Sequence, residues 1–140
     1  MYILDTDHVS LWLENHPGVT SKAAEFESDI VITIATVQEL FNGWVGRLND
    51  PVQANHQVRL YAKLSKVVAY LQAVVVLELD DAADQCFRRM LTDYPNLRKS
   101  RIQKDMRIAA IALFCNATVV TRNRRDFEQV PGLKFEDWTV

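Results

Sequence analysis

Residues 30–34 read IVITI, five side chains in a row that are apolar or β-branched. A strand with one wet face alternates polar and apolar residues, and this one does not. The run therefore predicts a central strand covered on both sides, as in parallel sheets flanked by helices. Working outward, residues 2–4 (YIL), 74–79 (VVVLEL) and 118–121 (TVVT) repeat the short buried pattern, and 134–138 suits a final strand. Helical spacing predicts helices over 8–14, 21–27, 37–48, 52–72, 81–94 and 105–116, with Pro17-Gly18 and Asn49-Asp50-Pro51 as breaks. In the longest of these, Leu60, Leu64, Val67, Val68 and Leu71 form the apolar stripe, with Arg59, Lys63 and Lys66 on other faces. Residues 95–104 read as a basic loop. Strands alternating with helices give an α/β sandwich with a mostly parallel central sheet between helical layers.

At 140 residues, with no repeat, low-complexity tract or flexible linker, the chain reads as one domain over 1–140. It is 49% hydrophobic and 24% charged, an ordinary globular balance. No apolar run approaches the roughly 20 residues that span a bilayer, and the start lacks the basic n-region of a signal peptide. Cys86 and Cys115 fall on apolar stripes without close spacing. They predict buried thiols and a reducing, cytoplasmic setting. The net charge of −2 conceals an uneven distribution. Eight of the sixteen Lys and Arg lie between residues 98 and 125, against the single acid Asp105, a local net of +7. That clustering has the character of a polyanion footprint.

The acids fall where such a sheet binds ligands, at the carboxyl ends of its strands. Asp5 ends the first strand, Glu39 lies early in the helix after IVITI, Asp105 opens a helix, and Asn123 and Asp126 follow TVVT. Carboxylates driven together repel and have raised pKa values unless a cation lies among them. Oxygen donors without Cys or His suit Mg²⁺ or Mn²⁺ rather than zinc. Each acid also has a local alternative. Asp7 is placed to cap a helix starting near His8, leaving Asp5 free of that task. Thr36-Val37-Gln38-Glu39 matches a capping box, so for Glu39 the cap and the metal role both stand. Asp105 complements a helix dipole. His8, His16 and His56 show no ligand spacing and read as structural or exposed.

LDTD at 4–7, T-x-x-E-L at 36–40, D-x-x-I-A-A-x-A at 105–112, VVTRNRRDF at 119–127 and VPGLKFEDW at 130–138 occur in order over nearly the full length. Together they resemble the PIN-domain family, and within it the VapC-type toxins of toxin–antitoxin pairs. The resemblance implies a PIN-like three-layer sandwich and an endoribonuclease dependent on Mg²⁺ or Mn²⁺. It matches Asp5, Glu39 and Asp105 to the family's metal-binding acids, and Thr6 to the small hydroxyl residue beside the first. The fourth catalytic position, often Asp in this turn, is Asn123 here, a departure that bears on a second metal. Asp7 and Asp126 are candidate supports. Arg98, Lys99, Arg101, Lys104, Arg122, Arg124 and Arg125 are the expected RNA contacts. A cognate antitoxin and a homodimer are the implied partners, with Trp12, Phe41 and Trp44 as candidate anchors, each equally suited to the core.

Two rival readings compete with this one. A PIN-like module without activity would bind a partner only. An aspartate-nucleophile phosphatase would use Asp5 and Asp7, but it needs a later Gly-Asp-x-x-x-Asp and the chain contains no Gly-Asp pair.

Overall fold

A computed structural model describes residues 1–140. Five strands, β1 (Tyr2–Leu4), β2 (Ile30–Thr33), β3 (Val75–Leu77), β4 (Thr118–Val120) and β5 (Lys134–Glu136), form one sheet in the order β3-β2-β1-β4-β5. Every neighbouring pair is parallel. Around it lie α1 (Thr6–Leu13), α2 (Pro17–Glu25), α3 (Ile34–Asn49), α4 (Gln57–Ala73), α5 (Asp81–Asp93), α6 (Gln103–Cys115) and the single turn α7 (Arg124–Phe127). No helix is long and apolar enough to cross a membrane.

All four residues of β2 are buried, as the unbroken IVIT pattern requires. The two-residue period of a strand sends alternate side chains to opposite faces, and two cores result. Ile3, Val31 and Val119 pack on one face with α5, α6 and Phe127. Leu4, Ile32 and Val120 pack on the other with Val9 of α1, Val19 of α2, Trp44 of α3 and Val67 of α4. Three layers follow directly.

Boundaries move where local chemistry outweighs the run of apolar residues. Ile34 belongs to α3 rather than to the strand, so this helix starts three residues before position 37 and Thr33 caps it by accepting from the Thr36 amide (3.3 Å). Residues 51–56 form a 3₁₀ turn begun by Pro51, and α4 starts only at Gln57. The expected loop at 95–104 contains two further 3₁₀ turns, Pro95–Arg98 and Ser100–Ile102. Cys86 and Cys115 are free and only half-buried, packed against the outside of the first core rather than within it.

From β1 the chain leaves through α1 and α2 toward β2. From β4 it leaves through α7 toward β5, on the other side. Opposed exits from adjacent strands open a crevice between them. Asp5 and Asn123 stand at its two lips.

Candidate active site

Asp5 follows the last residue of β1, and its amide donates to the Val120 carbonyl of β4 (3.0 Å), which fixes the backbone across the crevice. Its carboxylate caps α1, accepting from the His8 amide (3.0 Å). The expected assignment is thus reversed. Asp5 is the cap, because the helix begins immediately after the strand with no linker. Asp7 is exposed in the first turn and pairs with Arg122 (2.8 Å). Asp7 therefore points to a surface cation rather than sharing a site with Asp5, which also removes the two-aspartate arrangement a phosphatase reading needs.

A second restraint on Asp5 comes from His8, which is fully buried. The Trp138 amide donates to His8 Nε2 (3.3 Å), so that nitrogen is the acceptor and the proton resides on Nδ1. His8 Nδ1 lies 3.3 Å from Asp5 Oδ1 and donates to it. The sequence expectation gave His8 no part in the site. The histidine in fact orients the first acid and ties it to the C-terminal segment.

Glu39 lies on the second turn of α3, past the reach of a capping box. Thr36, the expected cap, is buried and its hydroxyl has no partner. One Glu39 oxygen accepts from the Thr6 hydroxyl and the other from Lys104 Nζ (2.6 Å). Asp105 is in the first turn of α6, half-buried, and accepts from Asn123 Nδ2 (3.0 Å). Burial pushes its carboxyl up to about 6, the neighbouring Lys104 charge pulls it down, and the charges of Asp5, Glu39 and Asp126 push it up again. Four chain segments thus deliver acids close enough to feel one another.

Asp126 is no turn or surface residue but is buried. Arg101 grips it with two guanidinium nitrogens (3.0 and 3.2 Å), and Asn123 Nδ2 donates to it as well (2.9 Å). Burial pushes its carboxyl up, but the bonds from Arg101 and Asn123 outweigh this and hold it below the usual carboxylate range. Asn123 therefore bridges Asp105 and Asp126 with one amide group, a task that an acid could not perform.

The basic segment is less available than its composition suggests. Arg101, Lys104 and Arg122 are each paired with a carboxylate, and Arg125 lies 3.6 Å from Asp126. Arg98 donates to the Leu91 carbonyl, and Arg124 lies over the Phe135 ring. Lys99 alone of the seven is exposed without such a partner. Among the candidate anchors, Trp44 is core, Trp12 packs edge-on against Tyr70 and Phe41 is exposed.

As the side chains stand, Glu39 is committed to Lys104 and Thr6, and no three His, Cys, Asp or Glu groups are gathered as ligands around one point. The donor chemistry nonetheless fits a hard divalent cation. The convergent groups are carboxylates, a hydroxyl and an amide, and the charges of Asp5, Glu39 and Asp126 all reach the half-buried Asp105.

No family model matches the chain, and no curated protein does. Solved structures do. The chain is 25% identical to a chain of the DNA-bound VapBC of Salmonella typhimurium, with a TM-score of 0.77 over 98% of this chain and 97% of that one. A chain of VapBC2 from Rickettsia felis, bound to a promoter DNA fragment, is 21% identical with a TM-score of 0.75 over 98% of each. A chain of VapBC-5 from Mycobacterium tuberculosis is 24% identical with a TM-score of 0.60, over 99% of this chain and 97% of that one. The likeness is one of fold over the whole length.

Proposed function

We propose that the chain is a metal-dependent endoribonuclease and the toxin member of a toxin–antitoxin pair. The observation that carries the reading is the convergence of Asp5, Glu39 and Asp105 on one crevice, near enough that the charges of Asp5 and Glu39 add to the rise that burial causes at Asp105. Supporting it are the five motifs in order and the shared fold with chains of VapBC complexes, one of which is described as a toxin–antitoxin system.

Asp5, Glu39 and Asp105 would hold Mg²⁺ or Mn²⁺, which lowers the pKa of a bound water and stabilises charge on the attacked phosphate. The chain's own residues supply the positioning. His8 holds Asp5 through Nδ1, Thr6 holds Glu39, and Asn123 holds Asp105 against the Arg101–Asp126 pair. Lys104 balances the charge of Glu39 beside the place where phosphate would sit. Lys99, the one cation of the basic segment without a carboxylate, carbonyl or ring partner, would attract phosphates without reading bases. Exposed Phe41 and Val45 on α3, with Val58 and Tyr61 on α4, offer apolar surface for an antitoxin or a second copy.

The inactive module is the second reading, favoured by the Lys104–Glu39 pair and by Asn123. Cleavage of an RNA pool by the purified chain separates the two. We expect cleavage with Mg²⁺, none with EDTA and none with Asp105→Asn. An intact pool in all three, with the protein folded and free of any partner, overturns the nuclease reading.

A further inference from the structure

Beside Thr6 and Glu39 opens a groove of about 360 Å³ between α1, α3 and α4. Its floor is apolar, with Leu13, Leu40, Trp44 and Val67. Its rim carries Arg47, Lys63 and Lys66, all exposed. Helix geometry assembles it. Glu39, Gly43 and Arg47 recur every four residues on one face of α3, while Lys63 and Lys66 border the apolar stripe of α4 beside Val67. Gly43 lines the groove, and a Cβ added there would meet nothing within 4 Å, so a larger side chain has room at this point.

None of the three rim cations is paired with a carboxylate. Arg47 instead rests over the Trp44 ring, 4.9 Å from its centre. The contrast with the far side of the site decides the matter, since Arg101, Lys104 and Arg122 are all held by acids there. Two acids also line the groove, but Glu39 is balanced by Lys104, so positive charge prevails over Glu14.

We propose that this groove binds the single-stranded RNA flanking the cleaved bond, with Arg47, Lys63 and Lys66 on its backbone phosphates and a base against the apolar floor. The proposal deepens the endoribonuclease reading and rests on it. From Glu39 to Arg47 the helix rises about 12 Å, so these cations meet phosphates beyond the one attacked. An apolar floor within a basic rim is the combination that holds single strands without sequence preference.

The test is fluorescence anisotropy with a labelled oligoribonucleotide in EDTA, between 50 and 200 mM salt. The proteins are the wild type, the triple variant Arg47→Gln/Lys63→Gln/Lys66→Gln, and Gly43→Leu, which fills the groove and keeps its charges. Three lost phosphate contacts should lower the slope of log affinity against log salt by about 2, so fourfold more salt costs the triple variant about 16-fold less affinity than it costs the wild type. Gly43→Leu should weaken binding at every salt concentration. Equal slopes and affinities in all three proteins overturn the groove while leaving the nuclease reading intact. A wild type that neither binds nor cleaves RNA overturns both. An acidic peptide that binds the wild type but not the variants, while RNA binding stays unchanged, assigns the groove to a protein partner instead.

Discussion

Asp105→Asn should stabilise the metal-free protein, and only above mildly acidic pH. The unfolded carboxyl titrates at its ordinary value of 3.8, while the folded one holds its proton up to about 6. Between those values the native state binds more protons than the unfolded state, so stability falls as pH rises. The loss is complete above the folded value. Two units at about 1.4 kcal/mol each would cost the wild type about 3 kcal/mol, and solvent screening of this half-buried group reduces that to roughly 1–2 kcal/mol. The asparagine keeps an oxygen for the Asn123 amide and discards the charge. In EDTA the variant should therefore melt roughly 3–8 °C above the wild type at pH 7.5 and level with it at pH 4. A difference that is flat with pH, or a less stable variant at pH 7.5, would refute the claim that holding a buried carboxylate among other acids strains this site.

Asn123→Asp replaces a donor shared by two acids with a third carboxylate. It should cost about 2–3 kcal/mol in EDTA and regain part of that in Mn²⁺; unchanged unfolding in EDTA would mean that the bridge has no weight. Asp126→Ala strips Arg101 and Asn123 of their buried acceptor, and urea unfolding should show a loss of roughly 2–4 kcal/mol. Less than about 1 kcal/mol would mark the pair as an ordinary surface bridge. Gly18→Ala would set a Cβ 2.7 Å from the Trp138 carbonyl oxygen, a backbone atom that cannot swing aside. Thermal unfolding should report a loss of about 1–3 kcal/mol, and wild-type stability would show that the C-terminal segment yields freely.

The layered architecture was legible because it rests on short-range periodicity. IVIT has no polar face, and both its faces are covered. Legibility ended where a residue's role depends on partners distant along the chain. Nothing near Asp126 in RRDF foretells its burial, since Arg101 lies 25 residues away. Lys104 and Glu39 meet across 65 residues, and His8 meets the Trp138 amide across 130. The basic segment looked free for the same reason. The two capping errors were of another kind. Asp5 and Asp7 are equally good caps locally, and the choice turned on α1 following β1 without a linker. Ile34 looked like strand because β-branched residues favour strands, whereas Thr33 had already started the helix and so carried Glu39 beyond the capping position.

The central claim is that Asp5, Glu39 and Asp105 are assembled for a divalent cation. Anomalous scattering from Mn²⁺-soaked crystals tests it most directly. The account requires a peak within roughly 2.5 Å of carboxylate oxygens of Asp5 and Asp105, with Glu39 released from Lys104. A site that stays empty at saturating Mn²⁺, with Glu39 still bonded to Lys104, would contradict it.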